Sequence, residues 1–239
     1  MRSYSGLALS GEALSKKCRE SLSSLGFTVM ILPEYERLGE AVSSHADLLL
    51  LPIENKIFTF SEYAERIRKP LNRLEDMGYS VEELDMFPSA SYPNDVALNC
   101  LTVGKKIFSK AAHTSSKAKS FAKSQGYELI DVNQGYARCT ACHVSDNALI
   151  SADPSILKAA ERNGIRTLKI REGHVSLKGY EYGFIGGACG VFENGIFFAG
   201  DLSQHPDGEK IAEFCALCGK TAISLSDEPL CDVGSIFFF

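Results

Sequence analysis

No apolar run in this chain of 239 residues approaches the roughly 18 to 20 residues that cross a bilayer. The longest, Leu48 to Pro52 with its flanks, falls far short and excludes a spanning helix. Clustered basic charge is also missing: the net charge is −5, and lysines and arginines are scattered, which argues against a nucleic-acid surface. Met1-Arg2-Ser3 leads into polar residues rather than an apolar leader core, so no secretory signal is expected. The cytoplasm is then the default compartment, and the eight cysteines are expected to be mostly reduced thiols. No low-complexity linker divides the chain, so residues 1–239 read as a single domain. The glycine-rich stretch 179–188 lacks the spacing of a phosphate-binding loop, so no nucleotide is expected. What is present is a 45% hydrophobic composition, enough to bury a large core.

That composition is ordered as a repeat. Five short apolar triplets recur at similar intervals: Lys56-Ile57-Phe58, Lys106-Ile107-Phe108, Ala148-Leu149-Ile150, Gly195-Ile196-Phe197 and Ser235-Ile236-Phe237. Each is followed by a helical stretch, a glycine and a second apolar strand. The glycines are Gly78, Gly126, Gly164, Gly219 and, for the last triplet, Gly26 at the other end of the chain. Helices commonly stop on a left-handed residue, a conformation that costs a residue with a Cβ about 1 kcal/mol or more. The strands that follow are expected at 27–32, 79–86, 127–132, 165–170 and 220–225.

The fifth unit is split, with its first half at 231–239 and its helix and last strand at about 11–32. A unit shared by both ends implies a closed ring, clasped by pairing of the C-terminal strand with residues such as Gly6 to Leu9. The fold class expected is α/β: a five-fold pseudosymmetric α/β propeller of ββαβ-like units closed by the two termini. Long connections at 33–46, 87–95, 133–140, 171–188 and 226–230 would gather on one face, where function usually lies. Asp153-Pro154 and Asp207 are expected to cap helices, and a helix over 63–77 is expected to kink or restart at Pro70.

Several motifs carry chemistry on paper. Cys139-Thr140-Ala141-Cys142-His143 matches a haem-attachment pattern, but that chemistry normally needs export, and Cys142 already has a strand assignment. Cys215-Ala216-Leu217-Cys218 ends a helix instead of beginning one, so the helix dipole does not activate its thiols. Aligned on the triplets, Leu50, Cys100, Cys142, Cys189 and Cys231 fall at one level, where the thiols either pack as small apolar groups or converge on a soft metal; packing is the expectation, and no metal is assigned. The glycine-rich stretch 179–188, with Tyr180, Glu181 and Tyr182, brings its backbone close either to a ligand or to another loop. Asp201 and His205 read as turn and capping residues.

Five ββαβ-like units in a ring, filling the chain, resemble the pentein superfamily of guanidine-modifying enzymes, such as dimethylargininase and amidinotransferase. Gly173-His174-Val175-Ser176-Leu177-Lys178 is similar to the segment with that family's catalytic histidine. Asp95-Val96-Ala97-Leu98-Asn99 is similar to its carboxylate region, and Leu230-Cys231-Asp232-Val233-Gly234-Ser235-Ile236 to the strand with its nucleophilic cysteine. The resemblance implies His174 and Cys231 as catalytic residues, with Asp95, Asn99, Lys178, Tyr180, Glu181 and Tyr182 in the substrate site. In that chemistry a thiolate attacks a planar amidine carbon and a histidine serves as general acid and base. No cofactor is implied.

Two function classes stand open. One is a cytoplasmic hydrolase or transferase acting on a small guanidine or amidine compound. The other is a non-catalytic module of the same fold that binds a metabolite or a protein. Asn99, an amide that cannot hold a guanidinium by charge, and a family cysteine position nearer Gly234 than Cys231 favour the second. The histidine segment and the glycine-aromatic loop favour the first. The expected partner is a small molecule, with a protein partner only in the second class, and neither nucleic acid nor membrane.

Overall fold

The computed structural model describes residues 4–239. Met1 to Ser3, on which the expectation of no leader rests, lie outside the described residues. The chain opens with β1 (Gly6–Gly11), α1 (Lys16–Ser24) and β2 (Phe27–Leu32). The next unit runs through α2 (Ala46–Leu49), β3 (Leu50–Ile53), β4 (Lys56–Phe60), α3 (Ser61–Arg66), α4 (Arg68–Asp76) and β5 (Ser80–Leu84). The third comprises β6 (Leu101–Val103), β7 (Lys106–Ser109), α5 (Ser116–Ser124) and β8 (Glu128–Asp131). The fourth comprises α6 (Ala137–Thr140), β9 (Ala141–Ser145), β10 (Ala148–Ser151), α7 (Pro154–Arg162) and β11 (Arg166–Lys169). The fifth is β12 (Cys189–Phe192), β13 (Gly195–Phe198), α8 (Gly208–Leu217) and β14 (Thr221–Ser224), after which β15 (Phe237–Phe238) closes the sequence.

These strands form five separate three-stranded sheets. In each, the first strand is antiparallel to the middle one, and the third is parallel to the middle one across a helix. The split unit exists: β15 pairs with β1, Ala8 opposite Phe238 and Leu9 opposite Phe237. Leu7 and Phe239 exchange backbone bonds of 2.8 and 2.9 Å. The terminal phenylalanines are therefore a paired strand, and Phe238 packs on the rings of Phe27, Phe197 and Phe192 at 4.8, 5.0 and 5.8 Å.

The position of the split differs from the triplet alignment. Ser235-Ile236-Phe237 leads into the first strand of its sheet, whereas Gly6–Gly11 is the middle one. Both strands of the hairpin are apolar, the half-buried Phe237–Phe238 as much as the buried Gly6–Gly11, so an apolar triplet does not distinguish them. The shift moves the cysteines too. Ser10 Oγ donates to Ser235 O, Thr59 Oγ1 to Leu49 O and Ser151 Oγ to Thr140 O, at 3.0, 2.9 and 3.0 Å, the same bond in three units. It puts Ile236, Leu50 and Ala141 in register, not Cys231 and Cys142. The four thiols do not converge: Cys100 packs in one apolar cluster, Cys142 and Cys189 in a second, and Cys231 against a third.

Local signals behave as their physics requires. The five predicted terminators all have positive φ, from +74° at Gly164 and Gly219 to +103° at Gly26. Asp153 caps α7 through the amides of Ser155 and Ile156, with Pro154 in the first turn. The helical stretch over 63–77 breaks at Ile67, and Pro70 sits in the first turn of α4, where its missing amide costs nothing. Asp207 is the N-cap residue of α8, but its side chain makes no cap bond; its carboxylate binds Arg171.

One circuit of hydrogen bonds joins all five units. Asp47 N donates to Gly234 O (3.0 Å), Ser235 N to Gly187 O (2.8 Å) and Gly187 N to Cys139 O (2.8 Å). Arg138 N then donates to Asn99 Oδ1 (2.7 Å), and Asn99 Nδ2 returns to Asp47 O (3.2 Å). Each participant lies at the entrance to a first strand. In the third unit the Asn99 amide side chain substitutes for backbone at both ends, so this predicted substrate contact is consumed in closing the ring.

Candidate functional site

The connections between units converge as expected, and two of them enclose a cavity of about 200 Å³ between the fourth and fifth units. It is lined by Gln134, Asp153, Glu172, His174, Tyr182, Phe184 and His205, among others. The connection carrying His174 is anchored just upstream. Arg171 gives Asp207 its backbone amide (2.8 Å), Nε (3.1 Å) and Nη2 (3.0 Å), and this guanidinium holds the Asp207 carboxyl well below the usual carboxylate range. Arg171 is therefore committed, and its charge does not balance Glu172. The Tyr182 hydroxyl lies 3.4 Å from Glu172 Oε2, and its ring meets Phe184 edge-on at 6.3 Å. Asp153 faces the cavity, but one of its oxygens caps α7 and the other accepts from Gln134 Nε2 (2.9 Å). His174 is exposed on the rim, its ring 5.5 Å from that of the buried His205. His205 Nδ1 accepts from Asp207 N (3.0 Å), and burial followed by the neighbouring His174 lowers its pKa.

Cys231 does not line this cavity. It is half-buried in the bridge to Ser176, and burial pushes its thiol up. The other predicted residues are dispersed. Tyr182 is on the cavity wall and Glu181 is exposed beside it. Lys178 and Tyr180 line a separate open groove with Glu12, Glu34 and Glu40. Asp95 is buried, accepts from the Tyr136 hydroxyl, and its pKa is raised by burial. The glycine-rich stretch approaches other loops: a Cβ on Gly186 would sit 2.3 Å from Arg138 O, and one on Gly187 would sit 1.9 Å from Asp232 Oδ1.

Beside that stretch, at the centre of the ring, lies a buried polar cluster. Asp47 Oδ2 accepts from Ser235 Oγ (2.7 Å) and Cys139 Sγ (3.1 Å). Asn99 Nδ2 also reaches Cys139 Sγ at 3.1 Å. Asp232 accepts from Phe184 N and Gly234 N, and one of its oxygens is 3.8 Å from His45 Nδ1. Burial pushes the Asp47 carboxyl and Cys139 thiol up and the Asp232 carboxyl up to about 6, while it lowers His45. The sequence reading missed His45, Asp47, Asp232 and Ser235. The available signal was a histidine and an aspartate, His45-Ala46-Asp47, set directly against the longest apolar run.

A family model described as a family of unknown function, DUF6873, matches residues 10–237. The chain belongs to the DUF6873 family. No curated protein matches it by sequence. Solved structures do resemble the DUF6873 chain. A DDAH from Pseudomonas aeruginosa, a cysteine-to-serine mutant complexed with citrulline, is 10% identical, with 94% of this chain and 93% of that one covered and a TM-score of 0.56. The N-terminal domain of ArgZ, a cyanobacterial arginine dihydrolase, solved as a cysteine-to-serine mutant with substrate, is 11% identical, with 93% and 92% covered and a TM-score of 0.57. SxtG, an amidinotransferase from Microseira wollei, is 14% identical, with 91% and 79% covered and a TM-score of 0.54. The DUF6873 chain thus has the pentein fold, the pseudo-fivefold α/β propeller of guanidine-modifying enzymes.

Proposed function

We propose that this protein binds a small guanidine or amidine compound in the cavity between the fourth and fifth units. The wall of that cavity carries the reading. Glu172 offers a carboxylate with no cation bound to it among the described residues, and Tyr182 and Phe184 offer aromatic rings beside it. A planar cation is recognised by that combination, a carboxylate for charge and hydrogen bonds and an aromatic face for the delocalised cation. The fold likeness to an arginine dihydrolase domain solved with its substrate supports the same ligand class.

Thiolate attack, the finer reading, is less well supported, because no cysteine lines the cavity among the described residues. A binding module with His174 on the rim is the form of the function that this wall favours. The eight cysteines are unpaired, which supports a reducing compartment such as the cytoplasm. The hydrogen-bonded circuit through all five units supports reading the chain as one domain.

The test is a thermal-shift and calorimetric screen of arginine, agmatine, guanidinoacetate and benzamidine against urea as a neutral control. A guanidino or amidine compound is expected to raise Tm, to lose at least about tenfold in affinity in Glu172→Gln, and to bind unchanged in Cys231→Ala. No shift from any cation, or a shift that survives Glu172→Gln, rejects the site. Turnover that vanishes in Cys231→Ala would replace the binding reading with the catalytic one.

A further inference from the structure

We infer that the buried cluster at the ring centre is a structural metal site, with His45, Asp47 and Cys139 as ligands and Zn²⁺ as the ion it suits. One ligand atom from each of the three lies within 4.8 Å of the others, and all three residues are buried. Tetrahedral zinc holds nitrogen or oxygen at about 2.0–2.2 Å and sulfur at about 2.3 Å, so its ligand atoms lie roughly 3.3–3.9 Å apart; here Cys139 Sγ and Asp47 Oδ2 are 3.1 Å apart and the whole set lies inside the 4.8 Å bound, so shifts of up to about 1 Å would seat the ion.

The second observation is independent of that proximity. His45 is 1% exposed, yet neither ring nitrogen has a hydrogen-bond partner, and Asp47 Oδ1 is likewise buried without one. Buried polar atoms are almost always paired, so unpartnered imidazole and carboxylate atoms beside a thiol call for a partner that protein atoms do not supply. A divalent cation uses these groups together.

The surroundings match the way proteins orient zinc ligands. Asp232 Oδ1 stands 3.8 Å from His45 Nδ1 and is itself fixed by Phe184 N and Gly234 N. A carboxylate beside a ligating histidine is the usual outer partner of the ring, and an approach closer by about 0.6 Å would bring Asp232 within hydrogen-bond distance of His45 Nδ1. The ligand set supplies two negative charges to a divalent cation, an Asp47 carboxylate and a Cys139 thiolate, with neutral His45 as the third ligand and Asp232 an acid outside the set. Binding takes Cys139 as a thiolate and Asp47 as a carboxylate, and the protons they give up leave to solvent. The Ser235 hydroxyl, 2.7 Å from Asp47 Oδ2, is placed to supply a fourth ligand.

Asp47 and His45 lead into the second unit, Cys139 into the fourth and Ser235 into the split unit, so the ion would pin three units at the point where their circuit closes. The site is distinct from the His174 cavity and stands or falls without it.

Protein expressed with added zinc and exchanged into metal-free buffer is to be analysed by native mass spectrometry and elemental analysis. One zinc per chain is expected in the wild type and in Cys231→Ser, with loss in Cys139→Ser and Asp47→Asn. Because those variants could misfold, the wild type refolded with Co²⁺ provides a second readout: a thiolate-to-cobalt charge-transfer band, with the ligand-field intensity of a tetrahedral ion. A wild-type chain at its metal-free mass after zinc supplementation overturns the site. So does zinc retained by folded Cys139→Ser, or a cobalt complex without the thiolate band.

Discussion

Asn99→Asp tests whether a single amide closes the ring. The side chain is 0% exposed, accepts from Arg138 N and donates to Asp47 O. The substitution keeps size and acceptor but removes the donor. If the new carboxyl ionises, Asp47 O is left facing an acceptor, and an orphaned buried polar group costs about 1–3 kcal/mol before any cost of burying the charge. If it stays protonated it can still donate, but holding a group of ordinary pKa about 3.9 neutral at pH 7 costs about 4 kcal/mol at 1.36 kcal/mol per pH unit. The variant takes the cheaper route, so a loss of about 2–4 kcal/mol is expected at pH 7. The sign with pH follows. A buried carboxyl with a raised folded pKa binds protons more tightly folded than unfolded, so its penalty shrinks as pH falls; by pH 5 the neutral route costs about 1.5 kcal/mol. Urea denaturation of wild type and variant between pH 5 and 8 measures the difference. Asn163→Asp, which loses a bond to Ala159 O and adds the cost of an anion at a helix C-terminus, about 0.3–1 kcal/mol, serves as the reference for a less buried site. A loss under about 1 kcal/mol at pH 7 with no pH dependence would refute the role given to Asn99.

Two further outcomes are expected. Arg171 depresses the Asp207 carboxyl, so that pair contributes stability above the ordinary carboxylate pKa of about 3.9 and loses it as pH falls toward the depressed folded value. Arg171→Met should flatten the acid limb of the stability profile below about pH 4, measured by urea midpoints, and should weaken ligand binding by loosening the His174 connection; an unchanged limb refutes the pairing. Glycines at two kinds of site should respond differently to alanine. Gly164→Ala meets nothing within 4 Å and bears only the strain of φ +74°, about 1 kcal/mol. Gly187→Ala drives a methyl to 1.9 Å from an Asp232 carboxylate held by two amides, and should cost about 2–4 kcal/mol; equal melting temperatures for the two variants would contradict this.

Much of the architecture was legible because it is written in local terms. Apolar strand pairs, glycines at helix ends and the cap at Asp153 depend on neighbours a few residues away, so their spacing survives in one dimension. The terminal run Ile236 to Phe239 signalled a clasp because so apolar a segment needs a partner. Ser235-Ile236-Phe237 was misassigned to the middle strand because the two strands of that hairpin are both apolar, and which is inner depends on packing.

The site was less legible. The pentein resemblance drew attention to His174 and Cys231, but the wall around His174 is assembled from Gln134, Asp153, Glu172 and His205, which lie far apart in sequence and meet only when two units adjoin. His45, Asp47, Cys139 and Asp232 each look ordinary along the chain: a histidine before an apolar run, an aspartate in a four-residue helix, a thiol in a Cys-Thr-Ala-Cys-His run, an acid next to a more conspicuous cysteine.

By itself, then, the sequence determined five units, their order and the fact that the two ends share one, since hydrophobic period and helix termination are set by adjacent residues. Tertiary structure alone decided what meets at the axis and which loops form a wall. Five segments separated by about fifty residues each converge there, and charge, burial and hydrogen-bond partners at such a point are properties of the convergence.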